Sequence, residues 1–426
     1  MRTYIKKAQP PAPQDKTKLE ETVRTMLADI AQNRDEAIRR YAKQFDKWDN
    51  PEFRISPDQI RKAERELPET FKADFKYALR QVTNFAKKQL ETLQNFETEI
   101  EPGIVLGQKM IPISRVGCYV PGGKFPLVAS AIMSVGTAKA AGVDHITACA
   151  PPRDASGMYN YTLYALATSG ADEIYNLGGA QAMAAMVHGC VGMKAVDLIT
   201  GAGNPFVAEA KRQLFGQVGI DLLAGPTEIL IVADASADPS LVATDLLGQA
   251  EHGPDSPAWL VTTSRTLGEA VAKEVERQLV TLATAKTAGP AWRDHGEIMV
   301  VESDAEAVIA CDEYAPEHLE VMTSKNDYYL KNLKNYGSLF VGEESTVAYG
   351  DKGIGTNHTL PTAKAARYTG GLWVGKFIKT VTYQHLTKAA SRKIAPIMSR
   401  ICVAEGMIAH GITADVREQR YRTENK

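Results

Sequence analysis

The stretch GQAEHGPDSP places an amide and an imidazole, Gln249 and His252, three positions apart. The residues before it predict a helix with Asp238 as its N-cap and Pro239 as its first residue, and Gly253 fits the C-terminal end. Side chains three positions apart on a helix project to the same side. The pair therefore fits either two metal ligands at a helix end or a surface pair at a frayed terminus.

A carboxylate and an imidazole are adjacent in YAPEHLEV, where His318 follows Glu317. The two residues come after a proline, between a helical stretch and a short apolar run. A carboxylate beside an imidazole at such a boundary can share acid–base catalysis. The same pair can equally be solvated, so the local sequence leaves its role open.

Further potential ligands lie in two glycine-containing segments. Asp351 and His358 flank the loop YGDKGIGTNHTLPT, whose glycines let the backbone approach a ligand, and His410 lies in AEGMIAHG. Together Gln249, His252, Asp351 and His410 would offer two imidazoles and two oxygen donors, which suit Zn²⁺ better than Mg²⁺ or Ca²⁺. The sequence does not show that these four residues converge.

The composition of the chain limits the classes of protein to which it can belong. The chain has 426 residues, 44% hydrophobic and 23% charged, with a net charge of −2, which predicts two or more globular domains and no nucleic-acid partner. The sequence has no apolar run that could span a bilayer, and its start lacks the apolar segment of a signal peptide. Five scattered cysteines without a Cys-x-x-Cys pair indicate reduced thiols, so we expect a cytoplasmic protein without a membrane partner.

The order of sequence patterns predicts an α/β protein. Residues 17–96 have the apolar spacing of helices, and from about residue 104 short β-branched runs alternate with amphipathic stretches. This alternation indicates parallel sheets covered by helices. The turns GAGNPFV and GCYVPGG each follow a predicted strand, but neither has the complete glycine pattern of a dinucleotide site.

A series of motifs resembles the histidinol dehydrogenase family from about residue 20 to residue 415. In chain order the motifs are GCYVPGGKFPL, GGAQA, GAGNPFVAEAKRQ, AGPTEILIVAD, LLGQAEHGPDS, APEHLEV, GDKGIGTNHTLPT and AEGMIAHG. The resemblance implies two incomplete Rossmann-like domains, one inserted in the other, with a helical N-terminal region and a C-terminal helical tail. The implied boundaries are an arm at 1–16, a first Rossmann-like domain at 17–118 and 228–372, a second at 119–227, and a tail at 373–426 that reaches the partner subunit.

The resemblance also implies a role for each candidate site residue. Zinc binding is assigned to Gln249, His252, Asp351 and His410, catalysis to Glu317 and His318, NAD contact to Tyr119, Gln181 and Asn204, and substrate contact to Thr227, Glu405, His318 and the zinc ligands. The tail carries Glu405 and His410, so the expected assembly is a homodimer in which each active site takes these two residues from the partner.

The chemistry that the resemblance implies is the oxidation of a small-molecule alcohol, through an aldehyde, to a carboxylate with two NAD⁺. His318 would act as the general base, and Glu317 would activate the water that attacks the aldehyde. An imidazole suits repeated proton transfer because it titrates near neutral pH. Zinc would anchor and orient the substrate.

One departure from the family pattern concerns the substrate. Histidinol-oxidising members commonly carry Asp-Phe-Leu-Lys where this chain has GKFIK, so the cation Lys376 stands near the position of a carboxylate. The flanking motifs also resemble a sister group that oxidises 2,3-dihydroxypropane-1-sulfonate (sulfopropanediol) to sulfolactate. We therefore expect an anionic diol substrate that Lys376 helps to bind. The alternative is a solvated Lys376 and the oxidation of L-histidinol to L-histidine.

Two other classes of function are compatible with the same residues. A metal beside a Glu–His pair can activate water for hydrolysis, so a zinc hydrolase is one alternative. A non-catalytic binding protein on the same fold is another, although the presence of Glu317, His318 and four potential ligands argues against it.

Overall fold

The computed structural model describes residues 2–11, 15–122 and 126–423, which form two compact units. The first unit combines the described residues up to Lys88 with Ile113–Phe377. The second combines Gln89–Pro112 with the described residues from Ile378 onwards. The sequence predicted a C-terminal tail but not the grouping of residues 89–112 with it.

The described elements comprise strands, α-helices and short helical turns. The strands are β1 (Thr3–Lys6), β2 (Phe96–Glu101), β3 (Ile104–Pro112), β4 (Arg115–Tyr119), β5 (His145–Ala150), β6 (Glu173–Asn176), β7 (Leu198–Thr200), β8 (Gly219–Ile220), β9 (Ile229–Ala233), β10 (Ala258–Thr262), β11 (Glu297–Val300), β12 (His318–Met322), β13 (Ser338–Val341) and β14 (Ile378–Leu386). The α-helices are α1 (Thr17–Tyr41), α2 (Pro57–Glu66), α3 (Glu69–Leu90), α4 (Thr137–Ala140), α5 (Asn160–Ser169), α6 (Gly179–His188), α7 (Pro205–Leu214), α8 (Pro239–Ala250), α9 (Arg265–Leu279), α10 (Ala285–His295), α11 (Asp304–Tyr314), α12 (Asn326–Asn332), α13 (Val347–Lys352), α14 (Lys388–Ala404) and α15 (Ile408–Thr423). Ala42–Asp46 and Ile132–Gly136 are π-helical, and Ala365–Arg367 and Val374–Phe377 are 3₁₀ turns.

The first unit contains a five-stranded parallel sheet with the spatial order β6-β5-β4-β7-β8. Numbered by their appearance in the chain, its strands have the order 3-2-1-4-5. The order reverses between β4 and β7, which leaves a crevice at the carboxyl ends of these two strands. Apolar runs such as HITACA, which forms β5, are suited to this sheet, because a parallel strand is buried on both faces.

A second sheet of the same unit has the order β1-β11-β10-β9-β12-β13. Its last five strands are parallel and again have the order 3-2-1-4-5, whereas β1 pairs antiparallel with β11. Thus the segment predicted as an N-terminal arm contributes an edge strand. The strand–helix alternation of the sequence correctly predicted parallel sheets.

Alternate residues of the central strand β9 pack into two different apolar cores. Ile229 and Ile231 pack with buried residues of α8 and α9, whereas Leu230 and Val232 pack with residues of α11 and α12. Because the strand is fixed on both faces, the residues just before it have a defined position. Those residues, together with the first residues of the neighbouring strand β12, carry the candidate site.

The second unit is built from an antiparallel sheet and a helical pair. The sheet has the order β14-β3-β2 and is antiparallel throughout. The helices α14 and α15 pack against each other. Among the helices described in either unit, none is both long enough and apolar enough to cross a membrane.

Candidate active site

Helix α8 brings Gln249 into the interior of the first unit. The helix begins as predicted, with the side chain of Asp238 accepting a hydrogen bond from the N–H of Ser240 at 2.7 Å. It ends at Ala250, before His252, because Gly253 and Pro254 do not favour continued helix. His252 therefore lies in the turn after the helix, which differs from the prediction that both side chains extend from one helix.

Gln249 belongs to a chain of hydrogen bonds that reaches the predicted catalytic carboxylate. Its side-chain amide donates to the hydroxyl of Thr227, and that hydroxyl donates to Oε2 of Glu317 at 2.5 Å. The N–H of Glu228 donates to the same carboxylate oxygen at 3.1 Å. Because Gln249 uses its N–H₂ group here, its amide oxygen is the atom that could bind a metal.

His318 is held in a defined tautomer by the strand next to it. Nδ1 of His318 lies 2.9 Å from the carbonyl oxygen of Glu228, which can only accept a hydrogen bond. Nδ1 therefore carries the hydrogen, and Nε2 carries the lone pair. Among the described residues Nε2 has no hydrogen-bond partner although it is buried, so this atom is available as a base.

Burial changes the protonation of both catalytic candidates. It raises the pKa of Glu317 well above its usual range, and the nearby carboxylates of Glu228 and Asp351 act in the same direction. It lowers the pKa of His318 to about 4, against the opposing effect of the Asp351 charge. Near neutral pH His318 is thus an uncharged imidazole, as a general base must be before it takes a proton.

Asp351 and His358 complete a group of potential metal ligands with His318. One ligand atom from each of the three residues lies within 4.8 Å of the others. Nδ1 of His358 is 3.4 Å from Oδ1 of Asp351, and its ring stacks on that of His318 at 5.7 Å between centroids. Burial opposes ionisation of Asp351, but the His358 ring beside it and the positive charge of Lys352 lower its pKa to about 2.

His358 is a site residue that sequence reasoning missed. The sequence indicated only that His358 flanks a glycine-containing loop, and the assignment of ligands passed over it. Its position depends on Gly350, since a Cβ on Gly350 would lie 1.9 Å from Nε2 of His358. A glycine eight positions before a histidine does not by itself predict a contact between them, because this contact forms only when the loop folds back on α13.

The donor set fits Zn²⁺. It offers imidazole nitrogens and a carboxylate, which are ordinary zinc ligands, and Nε2 of His358 is buried without a hydrogen-bond partner in the described part of the chain. Asp351 belongs both to this group and to the predicted ligand set, and His252 lines the same cavity. Gln249 connects to that cavity through Thr227.

These groups surround a cavity of about 300 Å³. It lies between the crevice of the first sheet and the strand beginnings of the second, with walls from both. The lining includes Pro126, Leu127, Val128, Ala129, Ser130, Met133, Ala202, Ala224, Gly225, Thr227, His252, Glu317, His318, Asp351, Lys352, His358, Thr359, Leu360 and Thr362. A cavity that combines apolar walls with convergent polar side chains is typical of a small-molecule site.

The three positions predicted to contact NAD lie around the crevice of the first sheet. Tyr119 ends β4, and its hydroxyl accepts a hydrogen bond from the N–H of Gly179 at 3.1 Å. Gln181 lies in the first turn of α6 and donates to Asp46 at 3.1 Å. Asn204 follows β7 and caps α7 by accepting from the N–H of Phe206 and of Val207. Their contact with a cofactor stays a prediction.

Three other predicted site residues lie elsewhere. Glu405 caps the end of α14 and His410 lies on α15, both exposed on the second unit. Lys376 lies in the 3₁₀ turn Val374–Phe377 and is partly exposed. The described residues that line the cavity include Lys352 but not Lys376. The assigned roles of Glu405, His410 and Lys376 stay predictions.

Known proteins resemble this chain over nearly its whole length. The sequence pattern of the histidinol dehydrogenase family matches residues 10–418. A histidinol dehydrogenase homolog of Shouchella clausii is 53% identical over 404 residues, which cover 95% of each chain. A sulfopropanediol 3-dehydrogenase of Ruegeria pomeroyi is 47% identical over 420 residues, covering 98% of this chain and 96% of that protein.

The fold has a close counterpart among solved structures. The crystal structure of histidinol dehydrogenase from Elizabethkingia anophelis superposes with a TM-score of 0.91 at 33% identity, covering 97% of this chain and 95% of that one. Members of this family use zinc and NAD to oxidise an alcohol to an acid with the transfer of four electrons. The chain belongs to the histidinol dehydrogenase family and is an NAD-dependent dehydrogenase.

Proposed function

We propose that this dehydrogenase oxidises 2,3-dihydroxypropane-1-sulfonate to sulfolactate. The observation that carries the chemistry is the buried Glu317–His318 pair, with Nε2 of His318 available as a base. The substrate is supported by the 47% identity to a sulfopropanediol 3-dehydrogenase along almost the full chain. It is also supported by Lys376, which stands near the position where histidinol-oxidising members commonly carry a carboxylate.

In the first half-reaction the primary alcohol becomes an aldehyde. Nε2 of His318 takes the hydroxyl proton while the carbon-bound hydrogen leaves as hydride to NAD⁺, which gives NADH. The hydrogen bond from Nδ1 to the carbonyl of Glu228 keeps the ring oriented and stabilises the imidazolium that forms. Burial of His318 disfavours the charged ring, so the proton passes on to solvent before the second half-reaction.

In the second half-reaction the aldehyde gains a water oxygen and loses a second hydride. Ionised Glu317 takes a proton from water as the water oxygen bonds to the aldehyde carbon. His318 then takes the hydroxyl proton of the hydrate while hydride leaves to the second NAD⁺, and the carboxylate forms. The hydroxyl of Thr227 and the N–H of Glu228 fix the carboxylate of Glu317 for this step. Because burial raises its pKa, Glu317 is a stronger base than an ordinary carboxylate once it is ionised.

Zinc would be held by Gln249, His252, Asp351 and His410. When bound, it would anchor the hydroxyl groups of the substrate and orient the primary alcohol toward His318. The support in this chain is the group of potential ligands around Asp351, the position of His252 at the cavity and the amide oxygen of Gln249, which the bond to Thr227 does not use. Glu405 and His410 would come from the partner subunit of a homodimer, which gives composite active sites.

The cofactor would bind at the crevice of the first sheet, next to Tyr119, Gln181 and Asn204. Open parallel sheets bind ligands at the point where the strand order reverses, and Tyr119 and Asn204 lie at the ends of the two strands at that point. Gln181 follows the edge strand β6, on the helix whose first N–H donates to the hydroxyl of Tyr119. The same 3-2-1-4-5 order in the two sheets supports two incomplete Rossmann-like domains, one inserted in the other.

The test is the production of NADH from sulfopropanediol and from L-histidinol, measured side by side on the purified protein. We expect turnover of sulfopropanediol and little turnover of histidinol. Lys376→Asp should raise the KM for the sulfonate, because replacing a cation by a carboxylate near the proposed site repels an anionic substrate. Lys331→Asp is the matched control, since this exposed lysine lies on α12, beyond the carboxyl end of β12. Oxidation of histidinol alone would overturn the proposed substrate.

A further inference from the structure

Lys211 and Asp221 form a buried ion pair that the proposed chemistry does not use. Lys211 lies on α7, and Asp221 directly follows β8. Their side chains are 3% and 0% exposed, and Nζ of Lys211 donates to Oδ1 of Asp221. Taking both charges out of water costs free energy. The groups that are hydrogen-bonded to the pair therefore indicate what it is buried for.

The ion pair holds both polar backbone groups of one residue, Gly201. The N–H of Gly201 donates to Oδ2 of Asp221 at 2.8 Å. The carbonyl of Gly201 accepts from Nζ of Lys211 at 2.9 Å. These two bonds fix the peptide units on either side of the first residue after β7.

Gly201 is confined from the opposite side as well. Its φ of +118° is a conformation that favours glycine, and an added Cβ would lie 2.1 Å from the carbonyl oxygen of Tyr119. The residue is therefore clamped between the end of β4 and the buried ion pair. The position of the following turn, Gly201–Asn204, depends on this clamp.

The clamped turn lies where the cofactor is proposed to bind. It follows β7 at the reversal of strand order in the first sheet, and its second residue, Ala202, lines the active-site cavity. Its last residue, Asn204, is the N-cap of α7, and the positive end of the helix dipole there favours an anionic ligand such as a pyrophosphate. A shift of the turn would move Asn204 and the start of α7 together.

We propose that Lys211 and Asp221 are positioning residues for NAD, acting through the Gly201–Asn204 turn. The inference rests on the proposed contact of Asn204 with NAD. The ion pair itself does not touch the cofactor. It sets the distance between the turn and Tyr119, and thereby the geometry in which the dinucleotide is bound.

The test compares the double variant Lys211→Met/Asp221→Leu with the unaltered protein, both in the oligomeric state in which they are purified. We expect the KM for NAD⁺, and the Kd for NADH measured by fluorescence titration, to rise about tenfold or more, because small displacements of binding groups are costly. The kcat at saturating NAD⁺ and the KM for the alcohol should stay within about threefold, since the double variant leaves the catalytic pair intact. Equal cofactor affinity in a folded double variant would overturn the inference.

A matched control lies on the same helix. Glu209 and Arg212 form an ion pair of α7 in which Arg212 is about half exposed, with Nε of Arg212 donating to Glu209 at 2.8 Å. Glu209→Gln/Arg212→Met should leave the KM for NAD⁺ unchanged. If the Lys211→Met/Asp221→Leu protein does not fold, Asp221→Asn decides, because it keeps the side-chain shape while weakening the bond to Lys211. An unchanged Kd for NADH in folded Asp221→Asn would then count against the inference.

Asn204→Ala separates this inference from the proposed cofactor site. If Asn204→Ala leaves NAD⁺ binding unchanged, the proposed site is wrong and the role of the ion pair falls with it. If Asn204→Ala weakens NAD⁺ binding but the Lys211→Met/Asp221→Leu variant does not, the site stands and the positioning role is refuted.

Discussion

Replacement of Glu317 by glutamine should separate the two half-reactions. Oε2 of Glu317 accepts hydrogen bonds from the hydroxyl of Thr227 and the N–H of Glu228. The amide oxygen of glutamine can accept the same two bonds, so the local structure should persist. The amide cannot take a proton from water, so the variant lacks the base that the aldehyde step requires.

The size of the effect follows from the role of this base. General-base catalysis contributes about 10²- to 10⁴-fold, which corresponds to about 3–5 kcal/mol of the activation free energy. We expect Glu317→Gln to slow aldehyde oxidation by that factor. Alcohol oxidation should fall by less than about tenfold, because Nε2 of His318 takes the proton in that step.

The assay supplies the alcohol or the aldehyde separately and follows the first turnover by NADH absorbance. With the alcohol, Glu317→Gln should release one NADH per site rapidly and the second slowly. His318→Asn is the comparison variant and should slow both half-reactions, because His318 serves both. Equal losses in the two half-reactions of Glu317→Gln would refute the division of labour.

Three further predictions test the surroundings of this pair. Gly350→Ala should reduce turnover about tenfold or more, since the new Cβ would lie 1.9 Å from Nε2 of His358. The control Gly248→Ala, on α8, places its Cβ within 4 Å of no atom and should leave turnover unchanged. Normal turnover in Gly350→Ala would show that activity does not require the His358 ring in its present position. His252→Ala should lose zinc, measured by atomic absorption, and activity together while its circular dichroism spectrum is retained, and a full zinc content would exclude His252 as a ligand. Mixing inactive His252→Ala and His410→Ala subunits should restore about a quarter of the normal activity, because half of the randomly formed dimers regain one intact site; no recovery after verified subunit exchange would indicate sites built from one chain.

Local sequence signals predicted the elements that position the site. The N-cap Asp238 and the proline after it gave the start of α8, because capping depends on neighbouring residues alone. The apolar run of β9 predicted a buried strand for the same reason. The end of α8 before His252 differs from the prediction, because Pro254 disfavours the helical conformation in the residue before it and the helix ends earlier.

Features that depend on distant residues were not predictable from patterns. The pairing of β1 with β11 joins residues almost 300 positions apart, and nothing in the local sequence specifies the partner. The stacking of His358 on His318 likewise requires the loop after α13 to fold against β12. The identity of the site residues came from the motif series, whereas the tautomer of His318 and the clamp on Gly201 are visible only in three dimensions.

The amount of NADH formed from a limiting amount of sulfopropanediol tests the central claim most directly. The proposed function predicts two NADH for each sulfopropanediol consumed and sulfolactate as the product, with no aldehyde accumulating. Consumption of L-histidinol with two NADH, together with no NADH from sulfopropanediol, would contradict the proposed substrate. A single NADH for each sulfopropanediol, with free aldehyde as the product, would contradict the proposed roles of Glu317 and His318 in a four-electron oxidation.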